Sequence, residues 1–167
     1  MVSPDTGNAE GTLAAVMGVT TLDFAGLDEL VGYRMRRAQG AVHRDYLATM
    51  GKLKLTQKQT AVLWLVQANP GVAQGTIGGL LGMDRATMMV LVDRLEARGL
   101  LRRSRSQTDR RRRELHATAA GVRLLDRARE RIFEHELRIK SQFSEEELAA
   151  FMRMLGQLQR LESGADT

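Results

Sequence analysis

The sequence predicts a mainly α-helical fold with one small β-hairpin (α+β), and two observations support this prediction. Apolar residues recur at intervals of three and four along most of the 167 residues, as they do on the buried face of an amphipathic helix. Between Leu100 and His116 this spacing gives way to two short segments around a polar turn, which is typical of a hairpin. A chain of this length can form one domain with a hydrophobic core.

Two short helices separated by Gly82 precede the hairpin. The first, predicted from about Ala73 to Leu81, contains three glycines. Each costs about 0.8–1 kcal/mol relative to alanine, so tertiary packing must hold this helix. The second begins after Asp84, a suitable N-terminal cap, and carries apolar side chains at helical spacing: Met88, Leu91, Val92 and Leu95. This is the helix-turn-helix pattern, whose second helix enters the DNA major groove, and the hairpin after it makes a winged helix-turn-helix.

These residues resemble the MarR family of transcriptional regulators. The resemblance is carried by DRATMMVLVDRLEARGLLRR from Asp84 to Arg103, by DRR at Asp109–Arg111, and by T-x-x-G from Thr118 to Gly121. It extends more weakly from about Leu27 to Leu161. The family resemblance implies a homodimer that binds a near-palindromic double-stranded operator, half-sites about one turn apart, and that typically represses transcription.

The domain organisation follows from the caps and glycines. Residues 1–22 are small and polar and are predicted to be a mobile N-terminal arm, whereas residues 23–167 form a single MarR-like domain. Its winged helix-turn-helix covers about 56–117, and long dimerisation helices cover about 24–50 and 119–162. Capping boxes are predicted at Thr56 and Ser144, and Thr118 is predicted to cap the long helix that follows the hairpin.

Positive charge is concentrated at the hairpin. The segment from Arg98 to Arg113 holds eight arginines and one aspartate, a local charge of +7, so the rest of a chain with net charge +5 sums to −2. Such a patch on an otherwise balanced protein favours a polyanionic partner, and the alternative is a solvated charge run on a surface hairpin.

The second helix is the predicted reader of DNA sequence. Arg85 is the main candidate for a bidentate contact to guanine, because the apolar side chains beside it can only contact thymine methyl groups. The exposed face is predicted to carry Arg85, Ala86, Met89 and Val90, with Thr87 and Arg94 near the phosphate backbone. Met88 is predicted to pack inward.

The hairpin tip, or wing, is predicted to contact the minor groove. By resemblance, Asp109 braces the hairpin through a neighbouring arginine, and Arg110 or Arg111 enters the groove, where a narrow A·T-rich segment attracts guanidinium. The other arginines of the wing are predicted to contact phosphates or to be solvated: Arg103, Arg105, Arg112 and Arg113. Shape and salt-dependent binding are therefore expected to outweigh hydrogen-bonded readout.

The family resemblance also implies release from DNA by a small anionic aromatic ligand, an aromatic acid or its coenzyme A thioester. Such a regulator would act in aromatic compound catabolism. Arg34 is the predicted anchor for the ligand, because it falls inside the apolar stripe of the first helix. An equally weighted alternative is an internal salt bridge, for instance to an acidic residue of the other subunit, since Asp45 lies three turns away.

Four further residues are predicted to complete this effector site by stacking and hydrogen bonding: Tyr33, His43, Tyr46 and Trp64. Each has an ordinary alternative as a packed or exposed residue, and core packing is the favoured interpretation for Trp64.

Several classes of protein do not fit the sequence. Cysteine is absent, and the three histidines lie on different elements without ligand spacing, so neither a disulfide framework nor a metal site is expected. No nucleophile–base pair or phosphate loop indicates an enzyme, and no cofactor is predicted. Without an apolar run of membrane-spanning length or a signal peptide, the protein is expected in the cytoplasm, with no membrane partner. The alternative function is an architectural DNA-binding protein without an effector.

Overall fold

The computed structural model describes residues 22–105 and 113–161. Most of the predicted N-terminal arm, and the hairpin tip with Asp109, Arg110, Arg111 and Arg112, lie outside the described residues. By its internal contacts the chain divides into two units, with the boundary between Ala41 and Val42, inside the first long helix.

The first unit contains a turn that follows Phe24, and then the start of helix α1 (Val31–Met50). This helix was predicted from about residue 24, and that start is wrong. Gly26 has φ +84° and Leu30 is extended, so Leu27–Glu29 form only a 3-10 turn and the helical ladder starts after it. Inside this unit the Phe24 and Tyr33 rings pack with centroids 6.1 Å apart.

The second unit contains the end of α1 and five further helices within the described residues. After a 3-10 turn (Gly51–Leu53), they are α2 (Gln57–Ala68), α3 (Gln74–Leu80), α4 (Arg85–Ala97), α5 (Ala119–Lys140) and α6 (Glu145–Gln159). The predicted capping boxes at Thr56 and Ser144 are confirmed, and so is the Thr118 cap, whose hydroxyl accepts from Gly121 N at 3.0 Å. These local signals are reliable because the cap and its partner are three residues apart.

The described strands form a three-stranded antiparallel sheet. Strands β2 (Leu101–Arg105) and β3 (Arg113–Ala117) are the predicted hairpin, and β1 (Val72–Ala73) adds to the other edge of β3. Ala73 was predicted to start the following helix, and that is wrong: it is the last residue of β1 and the N-cap position of α3. A two-residue strand has no periodicity of its own to detect.

The core of the second unit lies between α2, α4, the sheet and α5. Its fully buried members include Val62, Leu63, Met88, Leu95 and Leu115. Trp64 is not among them, since 39% of its surface is exposed and the Arg129 guanidinium lies 4.5 Å from its ring centroid. The predicted core role of Trp64 is therefore wrong. Trp64 lies at the surface edge of α2 beside α5, where the Arg129 guanidinium covers one face of its ring in a cation–π contact.

One glycine allows a close approach between α5 and the end of the helix-turn-helix. A Cβ at Gly121 would lie 1.9 Å from Leu100 O, far inside van der Waals contact. This explains the glycine of the T-x-x-G motif. In α3 no glycine is required in this way: a Cβ at Gly78 would make ordinary van der Waals contact with Met83 O at 3.4 Å, and Gly75 and Gly79 face open space.

Candidate DNA interface

Helix α4 begins at a doubly bonded cap. One oxygen of Asp84 accepts from Thr87 N at 2.8 Å and the other from Thr87 Oγ1 at 2.6 Å. These hydrogen bonds lower the pKa of the Asp84 carboxyl. Asp84 therefore stays charged at neutral pH and fixes where the recognition helix starts, although it also occupies the Thr87 hydroxyl that was predicted to lie near the DNA backbone.

The two faces of α4 are sharply different. Met88, Leu91, Val92 and Leu95 are buried, which confirms the inward packing predicted for Met88. The opposite face is exposed, with Met89 at 50% and Val90 at 45%. It carries the residues predicted to contact DNA: Arg85, Ala86, Met89, Val90 and Arg94. The structure therefore leaves the predicted base-reading side chains on one solvent-facing surface.

The base of the wing adds exposed positive charge. Arg105 ends β2, Arg113 starts β3, and the two residues pair across the hairpin with both side chains exposed. Below them, Ser104 Oγ and His116 Nε2 are 3.0 Å apart, which ties the two strands together. Minor-groove contacts by Arg110 or Arg111, braced by Asp109, stay a prediction.

Arg103 was predicted to contact a phosphate or to be solvated, and the structure shows its side chain paired within the protein. Its Nη1 lies 2.7 Å from Glu96 Oε2, and its Nη2 lies 2.5 Å from Asp93 Oδ1. Only 19% of the side chain is exposed. The alternative that Arg103 is solvated is therefore wrong, because two carboxylates of α4 hold its guanidinium.

A second arginine that sequence reasoning missed holds the far end of the recognition helix. The Arg98 guanidinium donates to Lys54 O at 2.6 Å and to Leu53 O at 3.1 Å, across more than forty residues of sequence. These carbonyls lie at the 3-10 turn after α1, so the C-terminal end of α4 is fixed to that turn. No local pattern in the sequence predicts such a long-range hydrogen bond.

A cleft of about 1080 Å³ lies between α3, the exposed side of α4 and the base of the wing. Its lining combines cationic, anionic and thioether groups: Arg85, Arg103, Arg113, Asp93, Glu96, Met83, Met88 and Met89. The structure thus brings the predicted base reader Arg85 and the wing strands around one concave surface.

Of the predicted effector residues, Tyr33 and Arg34 belong to the first unit. Arg34 is 58% exposed in this chain, so it is not the buried arginine that the apolar stripe predicted. Its Nη2 lies 3.7 Å from Asp28 Oδ2, and its Nε donates to the Asp28 carbonyl. The anionic partner lies in its own N-terminal turn. The Tyr33 ring is covered by Phe24 and by the Arg37 guanidinium, 5.9 Å from its centroid.

The remaining predicted effector residues, His43, Tyr46 and Trp64, belong to the second unit. His43 Nδ1 lies 3.1 Å from Gln57 Oε1, which ties α1 to α2. Tyr46 is buried, which raises the pKa of its phenol, and its hydroxyl lies 2.7 Å from Thr60 Oγ1. These contacts fit the ordinary alternative for both residues, as packed side chains with satisfied polar atoms.

A polar cluster between α1 and α5 escaped sequence reasoning. Asp45 Oδ2 lies 2.5 Å from Nδ1 of the buried His135 and 2.9 Å from Arg138 Nη2, and Arg138 also bonds the Thr49 hydroxyl. The hydrogen bond from Arg138 is the main reason that the pKa of Asp45 is lowered. Because the partners are some ninety residues apart in sequence, only the fold brings them together.

Other kinds of site are not apparent in the part of the chain that the structure describes. No group of three or more histidine or acidic side chains there could hold a metal ion. None of the described helices combines the length and the apolar character needed to cross a membrane.

Comparison with known proteins decides the family. The chain is 30% identical over 134 residues to a transcriptional regulatory protein for the hcr operon of Thauera aromatica, covering 80% of this chain and 81% of that protein. A sequence model described as MarR family matches residues 53–112, which span the helix-turn-helix and most of the wing. The chain belongs to the MarR family. The protein is therefore a MarR-type transcriptional regulator, as the resemblance predicted.

Solved MarR family structures share the fold. The repressor CouR bound to a 23-mer DNA duplex is 37% identical, with a TM-score of 0.79, and the match covers 84% of this chain and 100% of that chain. CouR bound to p-coumaroyl-CoA is 36% identical with a TM-score of 0.78, covering 83% and 98%. The PcaV regulator of Streptomyces coelicolor with its natural ligand is 32% identical with a TM-score of 0.75, covering 89% and 100%. The winged helix-turn-helix fold class is confirmed.

Proposed function

We propose that this MarR family protein is a homodimeric repressor that leaves its operator when it binds a small anionic aromatic compound. The observation that carries the proposal is the exposed face of α4 beside the basic wing, in a chain 37% identical to CouR solved on DNA. Such a repressor works in the cytoplasm, where it meets its operator. Contacts to phosphates position the protein, whereas side chains that meet base edges specify the sequence.

The homodimer is supported by apolar surface on the C-terminal helices. Among its fifteen residues α6 has none that is buried in the single chain, although it carries several large apolar side chains. Together with α5 it exposes Phe133, Leu137, Phe151, Met152 and Met154. Large apolar side chains exposed in this number are more than a monomer usually leaves in water, and they are typical of a protein–protein interface. A two-fold axis through that interface would place two recognition helices roughly 34–36 Å apart, on the half-sites of a near-palindrome.

The base contact is testable at Arg85. We expect Arg85→Ala to weaken binding by about 1–3 kcal/mol per half-site and to relax the preference at one base pair, because one bidentate contact is lost. The measurement is competition among single-base variants of a duplex that the wild-type protein selects from a random pool. The control is Arg36→Ala, because Arg36 is an exposed arginine on a different helix, α1. An unchanged base preference in Arg85→Ala would remove Arg85 from the readers.

The ligand class is supported by the two relatives. CouR is solved with p-coumaroyl-CoA and PcaV with its natural ligand, and both are more than 30% identical to this chain. We propose that the effector is an aromatic acid or its coenzyme A thioester, and that the exposed guanidinium of Arg34 anchors it. A ligand that prefers the folded state raises its stability, by about 2.7 kcal/mol at 100 times its Kd, so thermal shift identifies candidates. A compound that binds without releasing the duplex would contradict the release mechanism.

Arg34 separates ligand binding from folding. We expect Arg34→Leu to keep DNA affinity but to abolish release by the compound found in the screen, because a charge-assisted hydrogen bond to the ligand is lost. The pair with Asp28 is exposed on both sides, so it is worth at most about 1 kcal/mol, and the melting temperature should change little. Arg36→Leu is the matched control. Release that persists in Arg34→Leu, or a large fall in its melting temperature before ligand is added, would contradict this role.

A further inference from the structure

We propose that Arg103 is a positioning residue that locks the wing to the recognition helix, and that it does not itself bind DNA. This inference rests on the proposed DNA-binding function of α4 and the wing. It replaces the expectation that Arg103 contacts a phosphate, and it follows from the partners that surround the guanidinium.

Arg103 sits where three elements meet. Besides Glu96 and Asp93 of α4, its Nε donates to Gln74 Oε1 at 3.4 Å on α3, and its Nη2 reaches Met89 O at 3.4 Å. Arg103 itself belongs to β2. The guanidinium has five N–H groups and makes four hydrogen-bonding contacts to other residues of the protein. Its planar, forked arrangement of donors suits a pair of carboxylates.

Glu96 strengthens the same junction through the backbone. Its Oε1 accepts from the Arg103 main-chain N–H at 3.0 Å, while its Oε2 accepts from the Arg103 side chain at 2.7 Å. One carboxylate therefore fixes both the strand and its side chain relative to α4. The wing strand cannot move away from the recognition helix without breaking both hydrogen bonds.

The electrostatics favour the same role. Asp93 and Glu96 lie on the cleft side of α4 and are 55% and 38% exposed, so their negative charges face the surface that meets DNA phosphates. The two carboxylates together carry a charge of −2, and the Arg103 guanidinium between them brings the total of the three groups to −1. Without Arg103, two carboxylates would repel the phosphate backbone at the point where the wing joins the helix.

The strand provides a matched control two residues away. Arg105 points to the same side of β2 as Arg103, because side chains alternate along a strand, but Arg105 is exposed. A phosphate contact is therefore expected from Arg105 and not from Arg103.

A double-mutant cycle on DNA binding tests the lock. We compare Arg103→Met in the wild-type background and in an Asp93→Asn, Glu96→Gln background, using a duplex selected from a random pool by the wild-type protein. In the wild-type background the affinity should fall about tenfold or more per half-site, and in the second background most of that loss should vanish, because contacting residues couple. Arg105→Met should have the same effect in both backgrounds.

Two further measurements complete the test. A lost phosphate contact lowers the slope of log affinity against log salt by about 0.9. We expect this lower salt slope for Arg105→Met. We do not expect it for Arg103→Met in the Asp93→Asn, Glu96→Gln background. In the DNA-free protein, amide exchange of β2 should quicken in Arg103→Met, while the core amides of α2 and α5 and the circular dichroism stay as in the wild type.

The possible outcomes separate the two proposals. Equal losses for Arg103→Met in both backgrounds with a shallower salt slope would overturn the lock and make Arg103 a phosphate ligand. If the wild-type protein selects no duplex, the proposed repressor function fails. The amide exchange of β2 then tests by itself whether Arg103 holds the wing against α4. Unchanged exchange in Arg103→Met would overturn that positioning role.

Discussion

Replacing Gly121 by alanine is expected to destabilise the fold by at least about 3 kcal/mol, the upper range for forcing extra atoms into a packed site. The added Cβ would stand 1.9 Å from Leu100 O and 2.9 Å from the carbon of the same carbonyl. That carbonyl cannot turn away easily, because it accepts from Thr118 N, while Leu100 N donates to Leu95 O at 2.9 Å. Either α5 or the start of the wing must therefore shift.

Chemical denaturation measures this effect, and Gly79→Ala is the control. Gly79 is also a helical glycine, but nothing lies within 4 Å of an added Cβ, so the same change should be neutral or stabilise by up to about 1 kcal/mol. If Gly121→Ala unfolds at the same denaturant concentration as the wild type, the close approach of α5 to Leu100 is wrong.

Truncating Leu115 to alanine is expected to cost about 2–5 kcal/mol, because a fully buried side chain is lost from the core. Leu115 lies in the central strand, opposite Val72 of β1 on one edge and Arg103 of β2 on the other. Helix α2 also packs against this strand. The loss should therefore loosen both edges of the sheet and reduce DNA affinity through the wing.

The measurement is again denaturation, with Leu80→Ala as the matched substitution. Leu80 is 71% exposed, so its truncation should change the free energy of unfolding by no more than about 0.5 kcal/mol. Equal effects of the two leucine substitutions would contradict the position of Leu115 in the core.

The elements that could be predicted from the sequence are those whose causes are local. Asp84 and Thr118 cap their helices through partners three residues ahead, and the exposed face of α4 follows from the spacing of Met88, Leu91 and Leu95. The hairpin was equally predictable, because short apolar segments flank a polar turn. For the same reason the predicted readers Arg85, Met89 and Val90 lie together in the structure.

The wrong predictions concern residues whose surroundings are set by partners far away in the sequence. The alternative that Arg103 is solvated treated it like the basic residues beside it in the sequence, but Asp93 and Glu96 on α4 bind its guanidinium. Trp64 was judged by its size and its helix, although Arg129 stabilises it at the surface. The family motif at Gly121 was recognised, yet its physical reason, the Leu100 carbonyl, depends on how α5 crosses the wing.

The division of α4 into two independent faces has a consequence for how such a regulator can change its target over evolutionary time. The buried face supplies the packing, whereas Arg85, Met89 and Val90 contribute little to the core. Surface substitutions of this kind usually alter stability by less than about 0.5 kcal/mol. Under the proposed base-reading role, mutations on the exposed face can therefore change the preferred operator without loss of the folded protein.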